Sequence, residues 1–578
     1  MYLIRYLKWK ENMLLNQSSQ RNSLVLSLAI SLALLSGCGG SGGGESNAVT
    51  NTKTTVTETT WVKGNFNSAS SFAARCENPR SGASPITGEA YPDKAGSELL
   101  EKFWQRSFTN ETYLWYQDVI DQDPNNFSLV EYFDQLKTME VTDSGALKDQ
   151  FHWMEPTSGV EERSQLGVTY GYGISYDRQQ TQITPRKWVV KNVTPETQAA
   201  LQGVSRGSTL LEIDGADFVN GTSQAELDTI NAGLSSQVEG EEHIFKFADL
   251  NGSEYEVTLA TAAISGVPVQ IAKTIDTPQG KVGYFLFNTF GNATAEKDLF
   301  DSFTQFKEDN ITDLVVDLRY NGGGFLALSS QLAYMVAGKE ATQGKTYDRL
   351  IYNDKLSADN RNIGFYDTTI DLRRLIGGDS IISANQPLPT LDLSRVYVLT
   401  TGSSCSASES FMNSLRGIDV EVIQIGETTC GKPYGFVSED NCGSTYFTVQ
   451  FRGENHKGFG DYADGFIPAT LPEAGKLAQV QGCPIKEDYL HALGDEQELL
   501  LSSALYYQVN NTCPEIAESV SLHTGSLHGV GVYNKSQQAI ENSVEQRIKV
   551  RTPLQNAIID DIYYDKFRNV GVKANAEK

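Results

Sequence analysis

Positive charge is what this 578-residue chain has least of for its size: 47 lysines and arginines stand against 72 aspartates and glutamates, a formal net charge of −25. No local basic stripe offsets that balance, which excludes a surface built for nucleic acid or anionic lipid headgroups. Histidine is scarce, with six in the whole chain. Neither its spacing nor any Cys-x-x-Cys pair supplies a ligand set for a metal, so no metal and no cofactor is expected. Long apolar runs are missing too. Residues 24–35 form an apolar run of about twelve residues, too short to span a bilayer with comfort, and no other stretch is apolar enough to cross one.

That run follows a basic, polar start (Arg5, Lys8, Lys10, Arg21), the layout of a signal peptide. It ends in Leu35-Ser-Gly-Cys38, which resembles the lipobox of bacterial lipoproteins. An ordinary signal peptide with a small-residue cleavage site is the rival reading. The resemblance implies that residues 1–37 are removed and that Cys38 is diacylated on sulfur. Two or more acyl chains give stable anchoring where one is marginal. Gly39, rather than aspartate, follows the cysteine, which implies the outer membrane, facing the periplasm or the cell surface. Residues 38–85 are rich in Gly, Ser, Thr and Asn and read as a flexible tether. Setting Cys38 aside leaves Cys76, Cys405, Cys430, Cys442, Cys483 and Cys513, an even number in an exported chain. Of the 15 possible pairings, Cys430–Cys442 and Cys483–Cys513 are expected because each brackets a local loop.

Along the chain the periodicity changes twice. Residues 86–162 read as helical, with Leu99, Leu100, Phe103, Trp104 and Phe108, then Leu129, Tyr132, Phe133 and Leu136, at helical intervals. Residues 163–265 read as short strands and turns. There Trp188–Val193 predicts a strand, 194–203 a short helix closed by glycine, and 207–215 a strand ending in an Asp-Gly turn. From 266 to 513 strands and helices alternate, which predicts parallel crossovers and an α/β core. No role is assigned to 514–578.

Two stretches of that core carry chemistry. Arg395-Val-Tyr-Val-Leu-Thr-Thr401 predicts a buried strand, followed by the small-residue turn Gly402-Ser-Ser-Cys-Ser406 and an apolar helical pattern at Phe411, Met412 and Leu415. A hydroxyl on such a turn is lifted beside the N–H groups of the helix start, where an oxyanion can be stabilised. A second strand, 420–426, leads to Lys432. A serine becomes a nucleophile when a base takes its proton, and a lysine can be that base where burial disfavours its charged form. The competing account is that the serines fill a turn and Lys432 is a solvated surface residue. The other stretch is Asp317-Leu-Arg-Tyr-Asn-Gly-Gly-Gly324. That glycine turn lacks both the Gly-x-Gly-x-x-Gly spacing and the Gly-Lys-Ser/Thr ending of phosphate-binding loops.

Ser406-Ala-Ser-Glu409, with Gly431-Lys432 26 residues after the serine, resembles the signature of the C-terminal processing (tail-specific) serine peptidases. Asp-Leu-Arg-x-Asn followed by glycines resembles that family's second signature, and the likeness covers roughly residues 90–510. It implies a mixed α/β peptidase core at 266–513, preceded by a PDZ-like β-rich domain at 163–265 and the N-terminal helical domain. It further implies Ser406 as nucleophile, Lys432 as general base, and backbone N–H groups of Ala407 and near Gly323 as the oxyanion site. Gly171-Tyr172-Gly173-Ile174 looks like the carboxylate loop of a PDZ domain, a module that accepts an extended peptide as an added strand. A PDZ-shaped spacer that binds nothing is the alternative.

Two departures keep further readings open. The family commonly follows its lysine with Gly-Thr-Val-Gln, the glutamine orienting the lysine; here Pro433-Tyr-Gly-Phe436 stands instead. Ala469 also stands where that family often has aspartate. His152 falls where related tricorn-type peptidases carry a catalytic histidine, so it is the alternative base. The resemblance thus implies a lipid-anchored serine endopeptidase of the bacterial cell envelope with protein or peptide substrates. Its rival is a peptide-binding scaffold that kept the fold and lost activity.

Overall fold

The computed structural model describes residues 60–515, with short breaks at 85–87, 89, 161–167, 182, 237 and 376–377. The expected signal peptide, the expected lipidation site Cys38, residues 38–59 of the expected tether and the segment after 515 lie outside the described residues. Helix α1 (Glu98–Thr112) starts at Ser97, whose hydroxyl accepts the Leu100 N–H. Helix α2 (Leu129–Gln135) starts at a capping box formed by Ser128 and Glu131. Their aromatic faces meet in one cluster with Tyr446, from far along the chain. The helical spacing of 86–162 is therefore spent against the core.

After β1 (Trp153–Pro156) and β2 (Val168–Gly171) comes a five-strand antiparallel path. It comprises β3 (Ile174–Gln180), β4 (Lys187–Val193), β5 (Thr209–Ile213), β6 (Glu242–Ala248) and β7 (Glu254–Ala260), in spatial order β7-β6-β5-β4-β3. Helices α3 (Gln198–Leu201) and α4 (Gln224–Ser235) complete it. Period-2 alternation supplies its core: His243, Phe245 and Phe247 on β6 point inward while their neighbours face out. Asp214 and Gly215 both take positive φ (49° and 75°), as the expected two-residue turn requires. Strand β8 (Ala262–Ser265) returns to pair with β2.

The main sheet begins with β9 (Val269–Thr277) and β10 (Gly280–Phe287). It continues through α5 (Ala295–Asp309), β11 (Asp313–Asp317) and α6 (Leu326–Thr342). A small sheet carrying β12 (Thr346–Tyr352) and β13 (Arg361–Gly364) intervenes. Then follow β14 (Arg395–Thr400), α7 (Ala407–Gly417), β15 (Glu421–Gly426), β16 (Tyr434–Gly435), β17 (Glu439–Asn441), β18 (Ser444–Phe447), β19 (Phe451–Glu454), β20 (Ile467–Ala469), β21 (Gln479–Pro484) and α8 (Leu499–Asn510). The main sheet runs β9-β10-β11-β14-β15-β21-β20, with every neighbour parallel except β9 to β10.

Both faces of this sheet are covered, which is why its strands read as continuous apolar runs. Leu314 and Val316 of β11 pack with α5, α6 and α7 on one face. Val315 between them packs with Leu500, Leu501 and Ala504 of α8 on the other. β18 lies between β17 and β1, so the N-terminal region is stitched to the core by a sheet as well as by side chains.

The disulfides correct one expectation. Cys430 is bonded to Cys405, and Cys442 to Cys76, 366 residues away in sequence; the expected Cys430–Cys442 pair does not exist. Cys483 is bonded to Cys513. Bracketing a short loop failed for Cys430 because adjacent strands β14 and β15 carry Cys405 and Cys430 out of the same end of the sheet.

Candidate active site

Strand β14 ends at Thr400, and a five-residue turn follows before Ser406 and α7. The turn is pinned from both sides. Ser404 donates its hydroxyl to Leu318 O (2.8 Å), and the Cys405 N–H donates to Asn321 O (3.1 Å). The Ser408 hydroxyl donates to the same carbonyl (2.9 Å). Asn321 in turn donates its side-chain amide to Phe287 O (2.9 Å) and accepts the Gly323 N–H (3.0 Å). This is the physical content of the Asp-Leu-Arg-x-Asn motif: Asn321 fixes the glycine turn against the serine turn.

Ser406 sits at φ 52°, ψ −111°, outside the regions that non-glycine residues ordinarily occupy. Such a conformation costs on the order of 1–3 kcal/mol and persists only where the surroundings over-determine it. It is the kind of strain found at strand-to-helix turns that present a nucleophile. Ser406 is 9% exposed and lines a small cavity together with Lys432, Gly324, Asp348, Phe436 and Phe451.

What over-determines the turn is Glu409. Its side chain is fully buried, and its two oxygens gather donors from both chemical stretches. Oε2 accepts the Ser406 N–H (3.0 Å) and the Lys432 N–H (2.8 Å). Oε1 accepts the Gly431 N–H (2.8 Å) and the Thr429 hydroxyl (2.5 Å). Burial pushes this carboxyl up to about 7, with those hydrogen bonds pulling the other way. Glu409 was part of the motif without a role assigned to it. The spacing Ser406-x-x-Glu409 is that of a capping box, which is the signal that foretells the bond to the Ser406 N–H. Nothing local foretells the bonds to 429–432.

Lys432 is 1% exposed, and its Nζ stands 4.6 Å from the ring centroid of Phe436 and 5.2 Å from that of Phe151. Phe436 occupies the position where the family that the chain resembles commonly has an orienting glutamine. Ring faces of Phe436 and Phe151 flank the amine there.

The Ala407 N–H is the first of α7, so it has no acceptor within the helix. The Gly323 N–H, by contrast, is already given to Asn321. Its neighbour Gly324 is the glycine of this turn that lines the cavity; at φ 131°, a Cβ there would lie 2.2 Å from Gly291 N.

His152 is placed elsewhere. Its Nε2 is 2.9 Å from Phe133 O and its Nδ1 is 3.0 Å from the Thr448 hydroxyl, while the ring stacks on Phe133 at 4.0 Å. Burial first, and the nearby Lys137 charge second, push it down to about 3, so it is neutral. It is not among the residues lining the cavity. Asp348, which sequence reasoning passed over, is. Burial pushes its carboxyl up to about 8, against the N–H groups of Glu454 and Arg349.

The 171–174 segment joins β2 to β3 away from this cluster. Tyr172 donates its hydroxyl to Gly233 O (2.9 Å) and packs edge-on against Phe245. Gly173 takes φ 76°, and a Cβ would meet Thr197 at 2.5 Å, so only glycine fits. β3, which Ile174 opens, ends its sheet.

Residues 281–439 match Peptidase family S41. They span β10 to β17 and hold Ser406, Glu409 and Lys432, so the chain carries a peptidase family S41 domain. The chain is 22% identical over 292 residues to the "Probable CtpA-like serine protease" of Staphylococcus haemolyticus (strain JCSC1435). That match covers 49% of this chain and 52% of the relative, so it spans about half of the relative's length. A crystal structure from Bacteroides fragilis NCTC 9343, assigned as an S41 protease, superposes with TM-score 0.52 at 23% identity. It covers 73% of this chain and 99% of that one. The mixed α/β fold is thus the fold of that protein.

Proposed function

We propose that this protein is a serine endopeptidase of the bacterial cell envelope, hydrolysing peptide bonds in proteins or peptides. The observation that carries the reading is one juxtaposition. Ser406, on a strained elbow at a helix start, and the buried Lys432 line one cavity, with Glu409 bonded to the backbone of both. In this reading Ser406 Oγ attacks the substrate carbonyl carbon while the neutral Lys432 amine takes the hydroxyl proton. The amine then returns the proton to the leaving nitrogen as the C–N bond breaks, and water repeats the sequence on the acyl-enzyme. The Ala407 N–H, first of α7, offers a donor for the oxyanion. Lys432 is favoured over His152 as base, because the histidine ring already engages partners on both nitrogens.

The domain at 163–265 is read as PDZ-like: β3 is an outer strand, able to take an extended peptide by strand addition. An acylated Cys38 would hold the enzyme at the membrane, and the three disulfides fit an oxidising compartment.

The test is hydrolysis of a denatured protein such as casein, with a fluorophosphonate label read in parallel. Ser406→Ala should lose roughly 10⁶-fold in rate, the scale seen when a serine nucleophile is removed, and should not label. Lys432→Ala should be nearly inactive and Lys432→Arg should not rescue it, since guanidinium stays protonated. Full activity in Lys432→Ala with loss in His152→Ala would overturn the lysine base. An unlabelled, inactive wild type would leave the scaffold reading.

A further inference from the structure

We propose that the Cys405–Cys430 cystine positions the nucleophile against its base, so that full peptidase activity requires the oxidised protein. The proposal rests on the Ser406–Lys432 reading above. Cys405 immediately precedes Ser406, and Cys430 lies two residues before Lys432. The sheet itself cannot hold the two segments together. β14 and β15 are in register only as far as Thr400 opposite Gly426. Beyond that pair both chains leave the ladder. Each then runs as turn or loop, Ser406 six residues after Thr400 and Lys432 six after Gly426.

Beyond the Thr400–Glu427 bonds at its base, three links nearer the reacting residues cross the gap. One is the disulfide. A second is the Cys430 N–H donating to Ser404 O at 3.1 Å. The third is the Glu409 carboxyl, which bonds Ser406 on one side and 429–432 on the other. Only the disulfide is covalent, one residue before Ser406 and two before Lys432. Its sulfur-bearing residues are 1% and 5% exposed and form an apolar cluster of their own. The other disulfides do different work: Cys76–Cys442 ties the N-terminal segment to the core, and Cys483–Cys513 ties β21 to the segment after α8. Neither touches the serine turn.

Reduction would remove the covalent link. A dithiol such as dithiothreitol gives two electrons and two protons, the S–S bond becomes two thiols, and the reductant closes its own disulfide. The strained Ser406 turn and the lysine loop are then held by hydrogen bonds alone. A displacement of about 1 Å between reacting groups can cost ~10²-fold in rate.

The experiment compares steady-state kinetics on a fluorogenic peptide for the full chain, its Cys405→Ala/Cys430→Ala double variant and a Cys76→Ala/Cys442→Ala control. The expected result is a fall in kcat of about 10²-fold with KM within about twofold for the first variant, and wild-type kcat for the control. Wild-type kcat in the Cys405/Cys430 variant would overturn the proposal. So would an equal loss in the control, which would mean general destabilisation. Should the variant not fold, the wild type is titrated with dithiothreitol and its thiols are alkylated and mapped by mass spectrometry. Activity should fall in step with alkylation of Cys405 and Cys430 and return on reoxidising an unalkylated portion. Full activity with that pair alkylated would overturn the proposal. Ser406→Ala is assayed alongside. If it stays active, the nucleophile reading fails and takes the proposal with it; if it is dead while the cysteine variant is fully active, only the cystine's role fails.

Discussion

Glu409 is the residue on which the two halves of the site depend, and its chemistry gives a pH signature. Its folded value of about 7 lies above the ordinary 4.5, chiefly through burial. A raised carboxyl favours the protonated form in the fold, so its contribution to stability is present in full below about 4.5 and is lost as pH rises through about 7. Activity should run the other way, because the ionised carboxylate is the better acceptor for the Ser406, Gly431 and Lys432 N–H groups. We expect the wild-type melting temperature to decline between pH 4.5 and 7 relative to Glu409→Gln, whose amide does not titrate. Parallel melting curves for the two proteins across that window would show that the carboxyl is not the titrating group.

At the scale of elements, the glycine turn after β11 is held from beneath by an ion cluster. Arg319 is wholly buried; its guanidinium donates to Asp317 at 2.9 Å and, through both terminal nitrogens, to Glu498 at 2.7 and 2.9 Å. Glu498 also caps α8, accepting the Leu501 N–H. One side chain thus couples the end of β11 to the helix that covers the second face of the sheet. Arg319→Ala strands two buried carboxylates, and breaking such a pair costs about 3–5 kcal/mol. Chemical denaturation should show that loss. Lys297→Ala, which removes a largely exposed i,i+4 pair with Asp301, should change stability by less than ~1 kcal/mol. Equal effects of the two substitutions would contradict this account of Arg319.

For the whole molecule, the question is what holds it at a surface. Among the described residues no helix is long and apolar enough to cross a membrane. The acidic balance disfavours electrostatic adsorption to anionic lipid. The proposed acyl chains on Cys38 are then the one hold on the bilayer that this reading supplies. Cys38→Ser should leave the protein unlipidated and move it from the washed membrane fraction to the soluble one. A variant that stays with the membranes would remove the anchor from the proposal.

What the sequence determined by itself was whatever depends on near neighbours. Strand β14, strand β15 and helix α7 are legible because side-chain periodicity is a local property. So is the strand–helix–strand of 187–213, whose Asp214-Gly215 turn only a few residue types can make. The two stretches bearing Ser406 and Lys432 are marked by short-range spacing as well. Helix α8 is not legible in the sequence because Leu499, Leu500 and Leu501 open it with no polar face to set a period. What only the tertiary structure decided was which distant groups meet. Cys76 reaches Cys442 across 366 residues, and Cys430 takes Cys405 because β14 and β15 are neighbours in the sheet. The same packing leaves Phe436 and Phe151 flanking Lys432, and turns His152 towards Phe133 and Thr448. Contacts of that kind follow from strand order and layer packing, which no window of adjacent residues encodes.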